Sequence, residues 1–177
     1  MRPRVLVAGV GNVLLGDDGF GVEVVQRLAG VALPSWVQLA DHGLGCGRLD
    51  CDMLGGYDTT ILLDATPRGG SPGQLCVIEA EVDEQSSALP ALLDAHGIQP
   101  KAAIRLLHLL GSDAGRVVVV GCEPAKTVGI GLSPAVAEAV TEAVRIVTDL
   151  VWGTEPPGSV RSVQAEPPRQ LEPMGGE

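Results

Sequence analysis

The sequence predicts a three-layer α/β/α sandwich: a mostly parallel sheet of about five strands covered by helices on both faces. Three observations carry this. Short apolar runs alternate with stretches of helical periodicity along the chain. The first run, Val5 to Ala8, is apolar throughout and stops at glycines, as in a strand buried on both faces. A later run, Arg116 to Val120, contains four consecutive valines and reads as a central strand.

The elements follow in order. After Val5–Ala8, Gly9-Val10-Gly11-Asn12 is a tight turn, and Asp17 is placed to cap the helix that carries Phe20, Val24, Val25 and Leu28. Gly30 is its expected stop. Trp36 to Ala40 is a second strand, followed by Asp41-His42-Gly43. Gly45 to Leu54 is a short helix closed by Gly55-Gly56, and Thr59 to Leu63 is a β-branched third strand ending on Asp64. Pro67 to Gly73 has turn chemistry, and Gln74 to Ala80 is a fourth strand. A short helix over 84–92, a loop holding His96, and a helix from Pro100 to Gly111 precede the valine strand. The crossover from the fourth to the fifth strand is long, which leaves room for one antiparallel strand. Lys126 to Leu132 is a loop. Ser133-Pro134 is an N-cap with proline at the first helical position. The helix behind it repeats Val136, Val140, Val144, Val147 and Val151 on one face. One domain over residues 1–152 is therefore expected, with a Pro/Gly-rich, disordered tail over 153–177.

Composition narrows the function. The chain has 177 residues, 45% of them apolar and only 2% aromatic, so its core must be aliphatic. A net charge of −10 disfavours nucleic acid and anionic membranes as partners, and no apolar stretch is long enough for a bilayer span. The start of the chain shows no export signal, and Cys46, Cys51, Cys76 and Cys122 lack a C-x-x-C spacing. A cytoplasmic protein with reduced thiols is expected.

In an open α/β sheet, ligands gather beyond the carboxyl ends of parallel strands. Asp17 and Asp18 follow strand one, Asp41 and His42 follow strand two, and Asp64 ends strand three. The glycines at 9, 11 and 16 suggest a dinucleotide loop, but their spacing is too loose, and Asp17 and Asp18 place negative charge where pyrophosphate would sit. There is no Walker lysine, no G-x-S-x-G elbow and no H-E-x-x-H motif. What is left is Asp18, Asp64 and His96, two oxygens and a nitrogen suited to a borderline divalent metal such as Ni²⁺ or Zn²⁺. Each alone has an ordinary explanation as a cap, a strand end or a surface loop residue. Asp64 is the hardest to explain that way, because a carboxylate closing a buried strand needs a partner.

Residues Gly9 to Val22, GVGNVLLGDDGFGV, resemble the N-terminal signature of the hydrogenase maturation proteases. The similarity extends through Leu62-Leu63-Asp64-Ala65, the His96 loop, Val120-Gly121-Cys122-Glu123-Pro124 and Gly131-Leu132-Ser133-Pro134, covering about residues 4–151. The resemblance implies a phosphorylase/hydrolase-like fold. It also implies an endopeptidase that trims the C-terminal extension from the large subunit of nickel–iron hydrogenases. It makes Asp18, Asp64 and His96 the nickel-contacting and catalytic residues, with the nickel supplied by the hydrogenase large-subunit precursor. The protein is then expected to act as a monomer. Where the family usually has Asp-Gly-Gly-Thr after strand two, this chain has Asp41-His42-Gly43-Leu44; His42 is read as exposed, or as a fourth metal contact. A non-cleaving nickel-sensing chaperone or checkpoint for the precursor is the competing reading. A weaker third is a metalloaminopeptidase-like hydrolase, for which the ligand set is sparse.

Overall fold

A computed structural model describes residues 3–43, 56–81 and 116–153. The expected short helices over 45–54 and 84–92, the helix from Pro100 to Gly111, the His96 loop and the tail beyond 153 lie outside the described residues.

Among the described residues five strands form one sheet: β1 (Val5–Val10), β2 (Val37–His42), β3 (Thr59–Ala65), β4 (Leu75–Glu81) and β5 (Arg116–Cys122). Their spatial order is β2-β1-β3-β5-β4. Strands β2, β1, β3 and β5 run parallel, and β4 pairs antiparallel with β5 at the edge. The single reversed strand is the one that the long crossover allowed for. Several strands are longer than the sequence suggests: β1 continues through Gly9 to Val10, β2 takes in Asp41 and His42, β3 runs past Asp64 to Ala65, and β5 runs on to Cys122. The ladder supplies the reason. Gly9 is paired between Asp41 and Leu63, and Gly121 between Asp64 and Cys76, so neighbouring strands hold these residues extended despite their weak strand propensity.

Among the described residues two helices pack on the sheet, α1 (Phe20–Leu28) and α2 (Pro134–Trp152). Both join one aliphatic core. Phe20, Val24 and Leu28 from α1 and Val136, Val140, Val147 and Val151 from α2 meet Val5, Val7, Ile61, Leu63, Val118 and Val120 from the sheet. Alternate residues of the same strands, Leu6, Ala8, Leu62, Val117 and Val119, are just as buried on the opposite face. The strands are therefore covered on both sides, as their uninterrupted apolar sequences require. Among the described residues no helix is long and apolar enough to cross a membrane.

Helix α1 lies unusually close to the sheet. A Cβ on Gly21 would come within 2.0 Å of the Leu63 carbonyl oxygen and 2.6 Å of that of Val10. Only glycine permits this approach, and it brings the start of α1 directly over the ends of β1 and β3.

Candidate active site

The site forms where β1 and β3 end. Beyond Val10 the chain turns through Gly11, whose φ of 120° is open to glycine alone. A Cβ there would also strike the Asp18 carbonyl oxygen at 1.8 Å. The turn folds back as a short 3₁₀ segment, Gly16–Gly19, which leads straight into α1.

Asp18 sits in this segment, half-buried. Its Oδ2 accepts the backbone N–H of Asn12 at 2.7 Å. Asn12 also closes the turn, its side-chain oxygen accepting the Leu14 N–H at 2.8 Å and its carbonyl accepting that of Leu15 at 2.9 Å. Asp18 is thus held by the backbone of the strand end it faces.

Asp64 lies on β3, next to β1, and is only 4% exposed. Burial pushes its carboxyl well above the usual carboxylate range, and the negative charge of Asp18 adds to the shift; the Ala65 N–H partly offsets both. The structure therefore brings Asp18 and Asp64 to one edge, within electrostatic reach of each other. Two such carboxylates, one of them buried, make an arrangement that a cation would relieve. Among the described residues no three His, Cys, Asp or Glu side chains are grouped to hold a metal. His96, the expected third ligand, and the side chain of His42 lie outside the described residues. Asp41 is not drawn in: it is exposed, and its Oδ1 accepts the Gly43 N–H at 2.9 Å.

Asp17 is not the helix cap that the sequence suggested. The N-cap position of α1 is Gly19, and no side chain caps it. Asp17 points the other way and is fully buried. Its Oδ1 accepts the Ser133 N–H at 2.6 Å, and its Oδ2 accepts the Ser133 hydroxyl at 2.9 Å and the N–H groups of Ala125 and Lys126 at 2.8 Å each. Burial alone would raise this carboxyl, but the four donors outweigh it and hold it below its usual value. Ser133 does occupy the N-cap position of α2, yet its hydroxyl serves Asp17 instead of the helix. The tertiary bond to a buried carboxylate is charge-assisted and prevails over a local cap.

A second carboxylate was missed by sequence reasoning. Glu123, just past β5, accepts the N–H groups of Arg68 at 2.7 Å and Gly69 at 3.3 Å. It borders a polar cavity of about 260 Å³ lined also by Thr66, Gln74 and Cys76, next to the strand end that bears Asp64. The signals in the sequence are its place directly after a buried strand and within the Val120–Pro124 segment. Of the two cysteines among the described residues, Cys122 is buried, with its pKa pushed up to about 12 by burial and by the nearby acidic groups, whereas Cys76 is partly exposed.

Comparison with known proteins adds an independent line. A family model described as hydrogenase maturation protease, HycI, matches residues 22–150, a span that holds Asp64 and His96 and begins just after Asp18. The chain is 37% identical over 160 residues to the hydrogenase expression/formation protein HupD of Rhodobacter capsulatus, covering 86% of this chain and 74% of that one. Its fold is similar to the crystal structure of a hydrogenase 2 maturation peptidase from a Thaumarchaeota archaeon, with 34% identity, a TM-score of 0.66, and 84% of this chain and 98% of that one covered. It is also similar to the hydrogenase maturating endopeptidase HybD of Escherichia coli, with 26% identity, a TM-score of 0.61, and 86% and 94% covered. With nearly three quarters of its length matched by one family model, and with the α/β sheet that these solved relatives share, this chain belongs to the hydrogenase maturation protease family.

Proposed function

We propose that this protein is the endopeptidase that removes the C-terminal extension from the nickel-loaded precursor of a nickel–iron hydrogenase large subunit. One observation carries the reading from family to site: Asp18, half-exposed beyond the end of β1, lies close enough for its charge to act on Asp64, buried near the end of the neighbouring β3. A pair of this kind suits a cation brought in by the substrate, since it presents oxygen ligands without a closed shell. In this reading the nickel is part of the precursor, His96 completes the contact set, and one of the carboxylates acts as general base on the attacking water. The protein works as a monomer in the cytoplasm. A family whose members are named proteases gives no support to a chaperone that does not cut.

The test is a cleavage assay on purified large-subunit precursor, with and without nickel, read as a size shift. The nickel-loaded precursor should be shortened and the nickel-free one left whole. Asp18→Ala, Asp64→Ala and His96→Ala should each stay folded and lose the shift. Normal cleavage by all three variants would remove the assignment.

A further inference from the structure

Among the described residues seven large hydrophobic side chains stand exposed, and five of them belong to two turns beside Asp18. Val13, Leu14 and Leu15 lie between Asn12 and the 3₁₀ segment. Val128 and Ile130, 78% and 80% exposed, lie on the loop between β5 and α2. The turns are fastened side by side. The Gly16 N–H donates to the Gly129 carbonyl at 2.5 Å and the Asp17 N–H to that of Lys126 at 2.9 Å, while the Asp17 carboxylate grips Ala125, Lys126 and Ser133 from beneath. These bonds hold the backbone of both turns side by side, with their aliphatic side chains exposed. The result is a fixed apolar rim.

We propose that this rim is a docking surface for an extended aliphatic segment of the precursor polypeptide next to its metal centre; the proposal rests on the protease reading above. Two observations select that occupant. The first is continuity with the site, because Asn12 holds Asp18 through its N–H and the Leu14 turn through its side chain, so the rim adjoins Asp18. The second is charge. In a chain of net charge −10, residues 12–16 and 127–132 carry no charged side chain at all. The rim therefore offers burial of apolar surface and almost no electrostatic selection, which favours an aliphatic stretch over an acidic or basic one.

The test compares wild type with Leu14→Ala/Ile130→Ala and Leu14→Asp/Ile130→Asp, each also in an Asp64→Asn background to prevent turnover. Affinity for nickel-loaded large-subunit precursor is measured in that background, and kcat/KM without it. The alanine pair should weaken binding about tenfold and lower kcat/KM by a similar factor, and the aspartate pair should do more. Both should keep the melting temperature of the parent, since the side chains are exposed. Unchanged affinity in the aspartate pair overturns the rim. Sedimentation showing a wild-type dimer that the aspartate pair dissolves also overturns it, by assigning the surface to a second copy of this chain. A wild-type protein that binds the precursor in a rim-dependent way yet never cuts it overturns the protease reading and leaves the rim standing.

Discussion

The carboxylate of Asp17 takes both the backbone N–H and the hydroxyl of Ser133, a residue 116 positions away in the chain. That pair joins the turn carrying Asp18 to the start of α2, and the N–H groups of Ala125 and Lys126 complete the hold. The position of Asp18 thus depends on a neighbour whose own side chain faces away from the site.

Asp17→Asn should be strongly destabilising. An amide presents its NH₂ to donors that need an acceptor, leaving buried N–H groups unsatisfied, at a cost of about 3 kcal/mol. Ser133→Ala removes one donor of four and should cost about 1 kcal/mol. Urea unfolding measures both. Because the Asp17 carboxyl is held below its usual value, its stabilising contribution is complete above about pH 4 and is lost only as the pH falls further through the folded value.

Asp64 should behave in the opposite sense. Its folded pKa is raised, so the stability it contributes is fully present below the unfolded pKa and is lost as the pH rises through the folded value. Asp64→Asn should therefore be more stable than the parent at neutral pH, by on the order of 1 kcal/mol, and the two should converge at about pH 4 and below. Melting temperatures across that range provide the check. The same variant should have no cleavage activity, which would mark Asp64 as retained for function at a cost in stability.

Gly21→Ala should unfold the site or the whole domain. The new methyl would overlap the Leu63 and Val10 carbonyl oxygens, both fixed in the sheet, so α1 would have to lift away. A loss of at least about 3 kcal/mol is expected, with cleavage falling further than stability alone explains because Asp18 moves with the helix start. Thermal melts paired with the precursor assay would separate the two effects.

Much of this architecture was legible in the residues because it is local. The Val5–Ala8 run, the β-branched Thr59–Leu63 and the valines before Gly121 announce strands by composition, and the repeats in α1 and α2 announce helices by period. The same reading ended strands too early at Gly9 and Gly121, where pairing with neighbours overrides propensity. It assigned Asp17 to a cap because an aspartate before a helix ordinarily caps it. It passed over Glu123, whose partners Arg68 and Gly69 lie more than fifty positions earlier.

By itself, then, the sequence determined the α/β class, the aliphatic core and the approach of Asp18 and Asp64 to one sheet edge. Each of these follows from short-range periodicity and from the rule that parallel strands end on the same side. Only the tertiary structure decided that Asp17 turns from the helix it precedes to grip Ala125, Lys126 and Ser133. It alone showed what Ser133 binds, and that Val13–Leu15 and Val128–Ile130 share one surface. The physical reason is that these bonds link segments more than a hundred residues apart. Their donors and acceptors become neighbours only after the sheet has set the loops side by side, and no local pattern records that proximity.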